Sequence, residues 1–370
     1  MILCRECNFA NGSAFPEGEC WICGGGALRE DGMLREAAAL LKAAGAGSFS
    51  ISTIIPKDWL AREEKAWDVR SAGAESVKNY MNRKAVSALR EASGLRYDYD
   101  GDVRLVLDFQ AGKVSIQRNE LFVFGRYRKL AAGLSQSRWK CPKCGGKGCA
   151  RCEGKGKLYV SVEEKIGEPL KSACAAEDYV MHASGREDVD ATNSAGRPFV
   201  FEIKSPEKRV IDLAAAAAEI AKSGEVAVLD LRIVPRSFCE VVTESHFDKA
   251  YEAEVEFGRT LGEDDLEKIR SLEGKTILQQ TPARVAHRRA DLVRHRKVKH
   301  VEVANIREAG GRWLATLIIR AEAGTYIKEL ISGDRGRTKP SVAELLGTGA
   351  ECKRLEVTMI DDGFLDFCMG

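Results

Sequence analysis

The sequence has no long hydrophobic run. Its longest apolar stretch, Leu213 to Ala218, is alanine-rich and closed by Glu219 and Lys222, far short of the ~20 residues that span a bilayer. The N-terminus offers no secretory core, since Cys4, Arg5, Glu6 and Cys7 stand where its apolar stretch would lie; cytoplasmic residence is the expectation. Neither a P-loop nor a dinucleotide-binding fingerprint is present, which argues against nucleoside triphosphate and nicotinamide chemistry. An excess of charge of one sign is lacking too. The formal net is +2 over 370 residues, so a nucleic-acid partner can be argued only from how the basic residues are distributed. With 44% hydrophobic and 30% charged residues, the chain can bury at least one substantial core, and two or three folded units are expected.

Cysteine, by contrast, is plentiful. Of twelve, eight fall into four CxxC pairs, an arithmetic that favours metal thiolates over disulfides in a large chain without an export signal. Cys4, Cys7, Cys20 and Cys23 can close one tetrahedral four-thiolate site, and Gly24, Gly25 and Gly26 follow the last knuckle. Cys141, Cys144, Cys149 and Cys152 can close a second if the chain reverses sharply at Gly145, Gly146 and Gly148. Structural zinc is the expected occupant of both. The second run also resembles the zinc region of J-domain cochaperones, but this chain lacks their four repeats and their helical segment. Cys174, Cys239, Cys352 and Cys368 stand alone and read as small buried hydrophobes.

Residues 31 to 43 read as a helix with Leu34, Ala37, Leu40 and Leu41 on one face. Strands are expected from Phe49 and over Val103 to Phe109, with a helix over Val77 to Glu91 between them. A hairpin is expected between Lys113–Gln117 and Glu120–Phe124, meeting at Arg118-Asn119 and running into Gly125-Arg126-Tyr127-Arg128-Lys129. There Arg126, Arg128 and Lys129 can neutralise phosphates while Tyr127 stacks on a base; the competing reading is a charged edge strand. Beyond residue 160, helices near Asp212–Ser223 and Asp264–Leu272 alternate with strands at Glu225–Val234, Glu252–Phe257, Val298–Ile306 and Trp313–Ala321. That pattern suggests a large, mainly antiparallel sheet and an α+β class.

Four segments carry the chemistry. Gly185-Arg186-Glu187-Asp188-Val189-Asp190 sets carboxylates after a glycine turn, a pattern that by itself is only a polar loop. Lys249-Ala250-Tyr251-Glu252 follows, then Gln279-Gln280-Thr281-Pro282, which leads into a dense basic run, then Gly324-Thr325-Tyr326-Ile327-Lys328. In that order, the set resembles the catalytic domain of pseudouridine synthases, and more narrowly the archaeal and eukaryotic tRNA family acting on positions 54 and 55 of the TΨC loop. The resemblance is strongest from about residue 165 to 357 and moderate from 49 to 140. It implies a zinc ribbon at 1–30, a THUMP-containing domain at 31–138 that holds the tRNA acceptor end, a second cysteine cluster at 139–160, and a mixed-sheet catalytic domain at 161–370.

The same resemblance assigns roles. Asp188 is implied as the catalytic carboxylate, either nucleophile at the sugar or base at C2′, and Arg186 as the residue that contacts phosphate or replaces the flipped base. Tyr251 is implied to stack on the uracil and to be a candidate for removing the C5 proton. Lys328 would pair with Asp188, while Ile327 and Leu355 would wall the uracil pocket; each has a plainer reading as core or surface. The family usually places an arginine four residues after the aspartate, where this chain has Thr192. Asp334-Arg335-Gly336-Arg337-Thr338-Lys339-Pro340-Ser341 is similar to a second family loop, with Ser332 in place of a histidine.

Between Arg284 and Lys299 lie seven basic residues, Arg288 and Arg289 among them, against one acid, Asp291. Such density is the footprint of a phosphate-binding arm. The expectation is therefore a monomeric tRNA pseudouridine synthase without redox or nucleotide cofactor. Its rival is a non-catalytic tRNA-binding or chaperone protein that uses the same zinc modules and basic arm.

Overall fold

A computed structural model describes residues 1–13, 15–67, 73–288 and 290–369, and of Leu28, His287, Arg288 and Met369 the backbone only. The chain forms two compact units: Met1–Leu121 with Lys171–Asp178 and Ile203–Ile211, and Phe122–Leu170 with Tyr179–Glu202 and Asp212–Gly370.

In the first unit a four-stranded sheet runs, in spatial order, Arg96–Tyr97, Ser48–Ile54, Val103–Asp108 and Lys113–Arg118. The helix Val77–Ser93 starts where the Ser76 side chain accepts from Asn79 N at 3.2 Å and stops at Gly94, whose φ of 72° suits glycine. Leu34, Leu41, Phe49, Trp59, Met81 and Leu105 are buried together with Cys4, Cys7, Cys20 and Cys23. The expected module 1–30 therefore shares one core with the part of 31–138 that precedes Phe122.

A buried carboxyl in this unit makes its stability depend on pH. Lys84 Nζ lies 3.0 Å from both Glu6 and Glu30, yet both Glu30 carboxylate oxygens are buried without a hydrogen bond. Burial pushes Glu30 up to about 7, against the opposing pull of Lys84. The fold thus prefers the protonated acid, and stability is lost as pH rises from the ordinary carboxyl value through about 7. Glu30→Gln is expected to be more stable than the parent at pH 8 by up to about 3 kcal/mol, and level with it near pH 4.5. Urea unfolding at both pH values checks this, and a gap that does not change with pH would contradict it.

The second unit is built on a ten-stranded sheet. Nine strands follow in spatial order: Thr338–Lys339, Thr276–Gln280, Val293–Ala309, Arg312–Ala321, Lys249–Phe257, Ala350–Ile360, Thr192–Lys204, Leu121–Lys129 and Val226–Val234, with Asp178–Ala183 pairing Thr192–Lys204. Pairing is antiparallel across most of it and parallel between Ala350–Ile360 and Thr192–Lys204. The α+β class holds.

Two expectations change here. Lys113–Arg118 pairs with Val103–Asp108, whereas Leu121–Lys129 pairs with Val226–Val234 in the large sheet, so the expected hairpin does not form. The boundary between units accordingly falls after Leu121 rather than after residue 138, and the second cysteine cluster belongs to the larger unit. The strand is neither an edge nor a surface. All its residues but Arg128 are buried, because it lies between Thr192–Lys204 and Val226–Val234.

Along Lys249–Phe257 every second residue is buried, as the period of two requires. This face carries Lys249, Tyr251, Ala253, Val255 and Phe257, and Tyr251 lies opposite Ile319 on one neighbour and Val357 on the other.

Candidate active site

The Gly185 to Asp190 turn joins Asp178–Ala183 to Thr192–Lys204. Its first carboxylate, Glu187, points inward: Arg197 Nε donates to it at 2.7 Å and Tyr127 Oη at 2.8 Å, and the Glu187 and Arg197 side chains are each 2% exposed. Gln136 extends the network, donating to Tyr127 Oη at 2.9 Å and to the Gly185 carbonyl at 2.8 Å. Lys129, itself buried, donates to the Asp188 and Val189 carbonyls at 3.0 and 2.8 Å. With Glu187 tied inward and the backbone held by Lys129, Asp188 is left partly exposed and lines the cavity.

The opposing wall is held as firmly. Gln279 clasps the backbone of Tyr326 twice, accepting from its N–H and donating to its carbonyl, each at 2.9 Å. This fixes the start of the helix Ile327–Ser332, with Ile327 buried and Lys328 in its first turn. Lys328 Nζ donates to both oxygens of Asp190 at 2.6 Å and lies 3.7 Å from Asp188. The nearer cation to Asp188 is Arg284, which donates to it at 2.7 Å and to the buried Glu329 at 2.6 Å. Glu329 and Asp188 outweigh the burial that opposes charge on this guanidinium, and raise its pKa. The backbone just before Arg284 is pinned as well, since Ala283 N donates to Asp334 at 2.8 Å.

These elements enclose a cavity of about 540 Å³ lined by Arg186, Asp188, Tyr251, Ile327, Lys328 and Leu355, with Arg284, Arg294 and Arg296 at its basic side. That size suits a small molecule or one extruded nucleotide. Burial pushes the Tyr251 phenol up to about 12, so it keeps its proton at neutral pH. Burial also lowers Lys249 to about 8, with Arg197 adding to the effect.

Of the residues singled out from sequence, Asp188, Tyr251, Lys328, Arg186, Ile327 and Leu355 meet in this one cavity. Arg126 does not. Its guanidinium is bound by Asp362, Asp230 and Asp366 at 2.6, 2.9 and 2.8 Å, so it serves the packing of the sheet and not a phosphate. Tyr127 and Lys129 are likewise committed inward. Arg289 and the side chain of Arg288 lie outside the described residues. Sequence reading placed Arg284 in the phosphate-binding arm and missed its contact with Asp188. The signal was its position two residues after Pro282, within a segment already tied to the family pattern.

The two cysteine tetrads fit a metal. In each, the four sulfurs lie within 4.8 Å of one another. Sulfur–sulfur separations of 3.6 Å for Cys4 and Cys23 and 3.8 to 3.9 Å in the second set match the ~3.8 Å edge of a tetrahedron with metal–sulfur bonds of about 2.3 Å. Backbone N–H groups of Cys23, Ala27 and Cys149 point at sulfurs of these sets, as thiolates require. Each tetrad can hold a metal ion.

Among known proteins, a family model described as "Pus10, C-terminal" matches residues 122–361. A protein of Methanothrix thermoacetophila is 40% identical over 96% of this chain and 79% of its own length. One of Korarchaeum cryptofilum is 39% identical over 92% of each, and one of Archaeoglobus fulgidus is 37% identical over 97% of this chain and 100% of its own. All three are named tRNA pseudouridine synthase Pus10. The extent and level of these matches place the chain in the Pus10 family, as an isomerase of the pseudouridine synthase kind.

Proposed function

We propose that this chain isomerises uridine to pseudouridine in the TΨC loop of tRNA, at position 55 and also at 54, with Asp188 as the essential carboxylate. The observation that carries the reading is Asp188 held between Arg284 and Lys328 in a cavity that Tyr251 and Leu355 also line. Isomerisation breaks the bond from uracil N1 to ribose C1′, turns the base, and rejoins C5 to C1′. A proton leaves C5 and one arrives at N1. No electron is gained or lost, so the chain's own groups suffice.

A carboxylate at the sugar serves by adding to C1′ or by taking the C2′ proton. Arg284, anchored on Glu329, aims that carboxylate. Tyr251, neutral at working pH, stacks on the base; a protonated phenol is a weak base, so stacking is its main part. Ile327 and Leu355 exclude water around the turning ring. Arg186 takes the place of the flipped uridine in the RNA stack. Zinc in the two tetrads is structural, because four thiolates leave no open position, and the enzyme acts as a monomer in the cytoplasm. The first unit holds the acceptor end of the tRNA.

An unmodified tRNA transcript incubated with the protein, then treated with carbodiimide and read by primer extension, tests the assignment. New stops at 55 and 54 are expected. Tight tRNA binding with no stop would instead favour a binding protein.

The placement of Arg284 has its own test. Arg284→Lys keeps the charge but cannot span Glu329 and Asp188 with one planar fork. It is expected to lower kcat about 100-fold through misplacement of the carboxylate, with KM within about threefold. A raised KM at unchanged kcat would return Arg284 to the phosphate-binding arm.

A further inference from the structure

Several cations of the larger unit are already committed to carboxylates. Arg126, Arg197, Arg284 and Lys328 are each held by carboxylates. The loop that carries the second cysteine tetrad is different. From Arg138 to Lys157 it has seven basic residues and one acid, Glu153. Lys155 and Lys157 find Glu153 and Glu164, but Lys143, Lys147 and Arg151 are exposed and have no ion pair among the described residues.

We propose that this loop is a second RNA-binding surface, which grips the sugar–phosphate backbone of the substrate strand beside the catalytic cavity. The proposal rests on the reading that the cavity receives a uridine of RNA.

The loop's backbone explains why its charges do not serve the fold. Cys141 N donates to the Gly156 carbonyl at 2.7 Å. A Cβ on Gly148 would come within 2.7 Å of the Gly154 oxygen, and one on Gly156 within 2.5 Å of the Gly146 oxygen. Strands of bare backbone therefore cross within the tetrad, and the long cationic side chains have no place but solvent. Balancing the tetrad does not account for them either. Four thiolates around a divalent ion leave a charge of about −2, and the excess of six basic residues over acidic ones exceeds it threefold.

Continuity with the catalytic cavity points the loop at RNA. Trp139 leads into it, and the Arg186 guanidinium lies 4.5 Å from the centre of the Trp139 ring, while Arg186 also lines the cavity beside Asp188. At the loop's other end Tyr159 is 42% exposed. Cations beside an exposed aromatic side chain are what single-stranded RNA binds, through phosphate contacts and base stacking. A strand whose uridine is flipped beside Asp188 would thus pass over Arg186 and Trp139 onto Lys143, Lys147 and Arg151.

The test uses the full chain with Lys143→Gln, Lys147→Gln and Arg151→Gln combined, leaving every cysteine in place. Kd and KM for a tRNA transcript are expected to rise about tenfold or more, with kcat within twofold. The salt dependence of log Kd should flatten by about 2, at roughly 0.7 per lost phosphate contact. Retained metal, measured on the same sample, shows the loop intact. Acylation of the unaltered protein with and without RNA provides a second reading that needs no variant: Lys143 and Lys147 should be shielded by RNA. Unchanged Kd and salt slope with metal retained, or lysines that RNA does not shield, would overturn the proposal. Binding and shielding are read without turnover, so a wild-type protein that binds RNA here yet forms no pseudouridine would refute the catalytic reading alone.

Discussion

Asp188→Asn is expected to abolish pseudouridine formation, with kcat reduced by about 10⁴-fold or more. The amide has the size of the carboxylate and keeps an oxygen to accept from Arg284, so the loop and cavity should survive. It can neither add to C1′ nor take a proton from C2′. Binding of tRNA should stay within about threefold of the parent, since phosphate contacts lie elsewhere. Chromatography of the nucleosides after digestion of the product RNA measures the loss. Retained activity within tenfold would mean that another group attacks the sugar.

The second large effect concerns stability. Arg197→Met removes the cation that is ion-paired with Glu187 among the described residues while leaving that carboxylate 2% exposed, and also strips the hydrogen bond to the Ser184 carbonyl at 2.8 Å. An uncompensated buried charge costs about 3–5 kcal/mol, enough to melt the Gly185 to Asp190 turn or the larger unit with it. Adding Glu187→Gln should recover much of the loss, because the buried pair is then replaced by neutral groups. Urea unfolding of the single and double variants checks both steps. A single variant as stable as the parent, or a double variant no better than the single, would show that the pair does not hold the loop.

What was legible in the sequence was local. The cysteine tetrads close over short spacings, and the Asp188 turn, the Tyr251 strand and the Ile327–Lys328 helix start each sit within a few residues of recognisable pattern. Their meeting in one cavity followed from the family resemblance. Charge assignment failed where partners are remote. Arg284 meets Asp188 across 96 residues, and Arg126 meets its three carboxylates across 104, 236 and 240 residues. A basic side chain can be buried only beside such partners, and nothing around Arg126 in the sequence shows that they exist. Leu121–Lys129 was misread for the same reason. Its polar second half looks like an exposed strand, but Tyr127, Lys129 and Arg126 all end on groups supplied by distant segments. Lys328, expected to pair with Asp188, lines the cavity beside it but makes its shortest contacts to Asp190.

That last pairing leaves two aspartates within reach of one lysine, and separating them tests the central claim most directly. Single-turnover release of tritium from tRNA carrying [5-³H]uridine reports loss of the C5 proton, which must accompany formation of the new carbon–carbon bond. Measured side by side, Asp188→Asn should release none, while Asp190→Asn should release tritium within about tenfold of the parent rate, since an exposed ion pair contributes little. Release from the Asp188 variant and silence from the Asp190 variant would contradict the account and move the chemistry to Asp190.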